Sequence, residues 1–328
     1  RLYMRGTILG CNNSQLTLIH WDIEEKIYTS IVSNRYWKIK SYEYSEYNGK
    51  GQITIKGLEN LEPINIQDVS IEQIKKLEKA INQITIPELQ DIIRKETIED
   101  PKFIGNVGGI KMHHTKPGEL VTHVNEVVHL SYRIMQAINT LHPTLKINKN
   151  LLIAGAILHD LGKKHIYNNW DTIVTEYTFL GLTREHLAHG AILLNKYLET
   201  ASEEVKPYIF LLQHILLSHH GKQEYGSPVV PAIIEAKIIS QADNMSAFIN
   251  SFANQPIRNG ITDKMYMNEN KPMITPEKVE EILVNPNLLL QILQGLGQYS
   301  NPKQESGKEP EEDSDYYGGV TDPYDVIF

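Results

Sequence analysis

Leu151-Leu152-Ile153-Ala154-Gly155-Ala156-Ile157-Leu158-His159-Asp160-Leu161-Gly162-Lys163 is the stretch that decides the fold reading. Its first eight residues predict an almost wholly apolar helix, and a helix apolar on every face belongs inside a protein. His159 and Asp160 then stand at the buried end of that helix. An ionised aspartate in such a place costs several kcal/mol unless it is paired or bound to metal. Adjacent histidine and aspartate offer one softer and one harder donor, and the carboxylate can bridge two cations. Gly162 is expected to end the helix in a left-handed cap. Lys163 is expected near the metal, where its charge meets a phosphate.

Working outward, twelve of the thirteen histidines lie between His113 and His220. Uniform placement would put roughly four there. A single helical histidine is more often a core or surface residue than a ligand, so each needs its own reason. His123 lies near the start of a helix, one residue from its apolar stripe. Asp243 sits mid-helix among Ile238, Ile239, Ala242 and Ala247, a poor place for an unpaired carboxylate. His189 shares a helix face with His186 at i, i+3 spacing. His219-His220 ends an apolar helix before Gly221. His186 and His214 are read as surface residues or as supports behind the ligands. Mixed imidazole and carboxylate donors suit Mn²⁺, Fe²⁺ or Co²⁺.

From 111 to 300 the signals are helical only: Val121–Leu141, Asn150–His159, Arg184–Leu198, Lys206–His220, Ala232–Phe252 and Pro276–Leu293. An all-α domain is the expectation. Residues 63–110 read as a helical connector. Residues 1–62 differ in kind. Leu2–Leu9, Gln15–Trp21, Lys26–Ser33, Tyr36–Tyr44 and Gly51–Lys56 read as short strands, with Asn48-Gly49 as a hairpin turn. Five strands in this length suit a small barrel. Residues 301–328, rich in Pro, Gly, Ser, Asp and Glu, are expected to be disordered. The fold expected is thus multidomain, a small N-terminal β-barrel followed by an all-α domain.

The 328 residues carry a formal charge of −8, and 41% are hydrophobic. From Lys303 onward two lysines face eight acids, while residues 1–60 carry eight bases and six acids. Most of the acidity is in the tail, so whole-chain charge does not exclude a nucleic-acid partner. The single cysteine, Cys11, excludes an intramolecular disulfide framework. No apolar run approaches a bilayer span, and the N-terminus lacks a signal-peptide pattern. A cytoplasmic location is the expectation.

The arrangement H…H-D-x-G-K…H…H-H-G…D resembles the HD superfamily of metal-dependent phosphohydrolases. Within it, the chain resembles the YhaM-type 3′-to-5′ exoribonucleases, which join an OB-fold to an HD domain. That closer resemblance rests on His113-His114 with Gly118-x-Leu120-x-x-His123, on the 152–163 stretch, and on Thr175-Glu176-Tyr177-Thr178 followed by His189. It continues through Leu216-Leu217-Ser218-His219-His220-Gly221-Lys222 and Ala242-Asp243-Asn244, and the barrel adds Glu46-Tyr47-Asn48-Gly49-Lys50. These motifs cover most of 111–252. The resemblance implies His123, His159, Asp160 and Asp243 around one cation. Asp160 would bridge to a second, held by His189 and His219 with His220 as a further ligand. It also favours manganese, and implies that Asp160 and Lys163 act in catalysis.

The barrel is read as OB-like and as the binding surface for single-stranded nucleic acid. Aromatic faces stack on bases and lysines follow phosphates, so Trp21, Tyr36, Trp37, Lys38, Lys40, Tyr44 and Lys56 are the expected contacts. The function expected is 3′-to-5′ hydrolysis of single-stranded RNA, with DNA left open. Two alternatives stand beside it: a nucleotide or cyclic-dinucleotide phosphohydrolase with a regulatory barrel, and a non-catalytic adaptor that recruits partners. A homo-oligomer and a protein partner for the acidic tail are also left open.

Overall fold

The computed structural model describes residues 3–9, 15–21, 37–39, 41–47, 50–55, 61–63, 66–110, 113–168, 176–285 and 287–288. The expected strand at Lys26–Ser33 and the expected disordered tail, 301–328, lie outside the described residues. So do Cys11, Tyr36, Lys40, Asn48, Gly49 and Lys56. By packing, the chain divides into two compact units, with the boundary between Asn254 and Gln255.

The first unit begins with strands β1 (Tyr3–Leu9), β2 (Gln15–Trp21), β3 (Trp37–Ile39), β4 (Tyr42–Tyr47), β5 (Lys50–Ile55) and β6 (Leu61–Pro63). A four-stranded sheet has the order β1-β2-β5-β4, and β3 pairs with β6. Tyr47 pairs with Lys50 in the antiparallel β4–β5 register, so two residues join these strands, as the Asn-Gly signal predicts. β2 runs parallel to β5, with Leu18 opposite Ile53. The run expected as one strand, Tyr36–Tyr44, is instead divided between β3 and β4, which join different sheets. Among the described residues these sheets do not close into a barrel. The OB-like barrel stays a proposal.

Helices make the rest of this unit: α1 (Ile66–Ile81), α2 (Pro87–Glu96), α3 (Pro101–Gly105), α4 (Glu119–Leu141), α5 (Lys149–Leu158), α6 (Lys163–Ile166), α7 (Phe179–Thr200), α8 (Lys206–Ser218) and α9 (Ile234–Ala253). α5 is the central one. Every residue from Leu151 to Leu158 is buried, as its unbroken apolar run requires. It starts where the Asn148 side chain accepts from Leu151 N–H at 3.0 Å, capping an otherwise orphaned donor. α4 and α9 are amphipathic and turn buried stripes toward it. Leu77, Ile81, Leu89, Ile93 and Phe103, from the 63–110 segment, share this same core. No described helix is long and apolar enough to cross a membrane.

Two small departures from a purely helical 111–300 appear. Tyr167–Asn168 (β7) pairs with Glu176–Tyr177 (β8). In the second unit Ile257–Arg258 (β9) pairs with Ile261–Thr262 (β10). Asn259 and Gly260 both have positive φ, 54° and 76°, as a primed two-residue hairpin turn requires. The same dipeptide that marks β4–β5 marks this hairpin. That unit continues to α10 (Pro276–Val284), capped by the Thr275 hydroxyl, which accepts from Lys278 N–H at 3.3 Å. α10 stops nine residues before the expected Leu293, and residues 289–300 lie outside the described set.

Candidate metal centre

Three helices converge at the buried end of α5, itself one of them. His159 and Asp160 follow its last turn, His123 comes from the buried stripe of α4, and Asp243 from that of α9. His123 Nε2 lies 3.3 Å from Asp160 Oδ2 and 3.0 Å from Asp243 Oδ1. His159 Nε2 lies 3.3 Å from Asp160 Oδ2 and 3.3 Å from His123 Nε2. The other carboxylate oxygen faces elsewhere. Asp160 Oδ1 is 3.5 Å from His186 Nε2 and 3.7 Å from His219 Nε2, and His186 Nε2 is 3.1 Å from His220 Nε2. One buried carboxylate thus separates two groups of imidazole nitrogens.

The far side of each ring is tied down. Nδ1–H donates to Ala156 O from His159, to Leu216 O from His219 and to Tyr225 O from His220, each at 2.8 Å. His123 Nδ1 donates to Ser246 Oγ at 2.9 Å, while that hydroxyl donates to Glu126 Oε2 at 2.6 Å. A carbonyl can only accept, so the first three rings are fixed as Nδ1–H tautomers with Nε2 lone pairs facing the cluster. This is how metal-ligating histidines are held. Both Asp160 oxygens and His219 Nε2 are buried without a hydrogen-bond partner. Orphaned lone pairs of this kind are what a divalent cation would satisfy, so the residues fit a metal.

Electrostatics agree. Burial works against the Asp160 carboxylate, but Lys163, His159 and His123 outweigh it and hold it well below the ordinary range. Asp243 is likewise burdened by burial and lowered by His123 and His159. Burial lowers His219 and takes His220 well below the usual imidazole value, which keeps their lone pairs available. His123 is the exception. Burial opposes its charge, yet Asp160 and Asp243 raise it to about 9.

His189, expected at the second cation, is elsewhere: its Nε2 lies 3.1 Å from His165 Nδ1. His186, read as a surface residue or support, is buried in the cluster instead. The cause is local. α7 is kinked at Glu185, whose φ of 58° and ψ of 167° are non-helical. A regular helix would put His186 and His189 on one face, and the kink parts them. The Glu185 carboxylate accepts from the His186 N–H and stands in ion-pair contact with its Nδ1, across the ring from the Nε2 that faces Asp160. Nothing in a glutamate at this position announces positive φ, so the spacing alone misled.

Gly162 also departs from expectation. Its φ of −62° and ψ of −30° are right-handed, so it is no left-handed cap. The residue must be glycine because a Cβ would lie 2.1 Å from the His186 carbonyl oxygen. Gly190 adds to this close approach, its own Cβ position being 3.1 Å from Gly162 N. The two glycines let α7 press His186 against the His159–Lys163 turn.

Lys163 is buried, with Nζ 2.9 Å from Asp160 Oδ2 and donating to Gly108 O. His214 accepts from Ala232 N–H at 3.0 Å, a structural contact outside the cluster. Of the expected nucleic-acid contacts, Trp21 is on β2, Trp37 and Lys38 on β3, and Tyr44 on β4. Tyr44 is exposed, its hydroxyl 3.1 Å from Glu46 Oε1.

Residues 120–247 match the family model of the HD domain. This segment is an HD domain. The match spans His123, His159, Asp160, His186, His219, His220 and Asp243, so the cluster lies wholly inside it. An HD domain with this His/Asp cluster supports a hydrolase class, the metal-dependent phosphohydrolases, and a divalent-metal site. No solved structure matches the chain.

Proposed function

We propose that the chain is a metal-dependent 3′-to-5′ exonuclease acting on single-stranded RNA. The observation that carries the hydrolytic part is the two-sided Asp160 carboxylate, with His123 and His159 at one oxygen and His186 and His219 at the other, and Asp243 against His123. His123, His159, Asp160 and Asp243 would hold one cation. Asp160, His186, His219 and His220 would hold a second. The nucleic-acid part rests on the motif resemblance and on the aromatic and basic residues of the N-terminal strands. That resemblance also makes manganese the proposed ion.

A divalent cation bound here supplies Lewis acidity toward water and toward the phosphoryl oxygens. The chain's own part is to exclude bulk water and hold fixed charge. Asp160 and Asp243 stay ionised under burial, and the pinned rings keep their Nε2 atoms on one locus. Lys163 Nζ donates to Gly108 O and stands in an ion pair 2.9 Å from Asp160 Oδ2, and of its three N–H groups one stays available for a phosphate oxygen. That charge would stabilise the transition state where negative charge grows.

The test is metal-reconstituted protein with 5′-labelled single-stranded RNA, DNA and mononucleotides. The expected result is a ladder shortened from the 3′ end, abolished in Asp160→Ala together with metal content. Turnover of nucleotides or cyclic dinucleotides alone would favour the regulatory-barrel alternative. Undiminished turnover in Asp160→Ala would overturn the metal mechanism itself.

A further inference from the structure

A second group of buried histidines stands beside this centre and outside the HD match. His113 and His114 occupy the loop before α4, both almost fully buried. Consecutive side chains on an extended backbone point to opposite faces. These two converge instead, with Nδ1 atoms 3.1 Å apart and rings nearly perpendicular. The convergence needs His114 at φ 48°, a left-handed conformation uncommon outside glycine. It is held there from several sides. Gly108 and Gly109 N–H both donate to His114 O, at 2.8 and 3.3 Å, and His114 N–H donates to Asn250 Oδ1 at 2.9 Å. A Cβ on Gly108 would stand 2.7 Å from His114 Cβ, so the loop conformation depends on that glycine. Strain that the surroundings over-determine marks a place with a task.

The pattern matches ligation. Two imidazole nitrogens at about 2.1 Å from one zinc ion are 3.1 Å apart when they subtend about 95°. Behind His114, Nε2 lies 3.2 Å from Glu126 Oε2, the carboxylate-behind-histidine arrangement that orients metal ligands. His123 closes the third side, its ring centroid 5.6 Å from His113 and 4.9 Å from His114, and the three residues offer nitrogens all within 4.8 Å of one another.

We propose that His113 and His114 hold a further transition-metal ion, in a site of its own that shares a wall with the HD centre. His123 is that wall: its Nε2 faces Asp160 and Asp243, and its Nδ1 is held by Ser246. The further ion therefore has two firm protein donors, and its other positions are open to water or a substrate oxygen. An all-imidazole donor pair selects Zn²⁺, Co²⁺ or Ni²⁺ over Mn²⁺ or Mg²⁺. With fewer ligands it binds more weakly than the centre around Asp160 and leaves first under a chelator.

The experiment strips the full chain, titrates it with Zn²⁺ alone, and counts bound ions by mass spectrometry. Wild type should bind one more equivalent than His113→Ala/His114→Ala. Asp160→Ala should lose the ions of the HD centre and keep that extra one. Equal counts in wild type and the double variant would overturn the site, whatever the HD centre does. A zinc-binding double variant and an Asp160→Ala unchanged from wild type would instead strike the reading of the centre. If the double variant does not fold, zinc-edge anomalous diffraction from wild-type crystals decides. A peak within bonding distance of both Nδ1 atoms sustains the site, and a peak confined to the Asp160 cluster overturns it.

Discussion

At the scale of single residues, the three-residue choice between His186 and His189 has a measurable outcome. His186 Nε2 faces Asp160 and His220, whereas His189 faces His165. His186→Ala should lose one equivalent of bound metal and most of the turnover, and His189→Ala should keep both. Metal analysis with the two results exchanged would put the kink in α7 in the wrong place. Glu185 offers a sharper case because two of its effects oppose each other. Its backbone occupies a region that is essentially restricted to glycine, at a cost of roughly 1–3 kcal/mol. Glu185→Gly relieves that strain, against about 0.5–1 kcal/mol for glycine's greater freedom when unfolded. The melting temperature should therefore hold or rise. Metal affinity should nevertheless fall roughly 10–100-fold, because the carboxylate that orients His186 is gone. A variant that loses stability and keeps its affinity would mean the carboxylate does not position the ring.

At the scale of elements, one buried acid ties three helices behind the site. Glu96, at the end of α2, accepts from Lys164 of α6 at 2.6 Å and from Tyr197 of α7 at 2.7 Å, with Lys196 Nζ at 2.6 Å. Lys164 also pairs with Asp100 Oδ2 at 3.0 Å. Removing one partner of a buried ion pair strands the other charge. Glu96→Ala should cost about 3 kcal/mol, the low end of that range, since Asp100 still faces Lys164. Burial alone would raise the carboxyl, but Lys164, Lys196 and Tyr197 bring it down to about 2. A value depressed on folding gives stability that is full above about pH 4.3, the unfolded value, and is lost as pH falls toward 2. Urea melts of wild type and Glu96→Ala should therefore differ most near neutrality, draw together below about pH 4 and converge only near pH 2. A difference that stays constant with pH would assign the loss to packing rather than charge.

At the scale of the whole molecule, the proposed substrate clamp separates from the chemistry. Tyr44 is exposed on β4, and Trp37 and Lys38 lie on β3. If these strands hold the nucleic acid, Trp37→Ala/Tyr44→Ala should raise KM for long oligonucleotides tenfold or more, since stacking contributes roughly 1–3 kcal/mol per base. Turnover of short substrates should stay near wild type, and Lys38→Ala should flatten the salt dependence of long-strand binding. Unchanged KM on long strands in a folded variant would remove these strands from the substrate path and move the small-nucleotide reading ahead.

The buried helix, its terminal His-Asp pair and the mid-helix Asp243 were legible from the residues alone. Apolar periodicity reports burial directly, and a carboxylate has few reasons to stand in such a stripe. Asn48-Gly49 likewise marked the turn between β4 and β5, whereas the hairpin at Asn259-Gly260 stands in a stretch read as helical only. Which histidine of α7 joins the cluster was not legible. It depends on a kink at Glu185 and on the close approach of Gly162 to the His186 carbonyl, contacts between segments more than twenty residues apart. The convergence of His113 and His114 was hidden in the same way, since it follows from clamps by Gly108, Gly109 and Asn250. Sequence determined which side chains were available and which helices were buried. Tertiary packing decided which way individual rings face, because one strained backbone angle can redirect a ligand without changing the pattern around it.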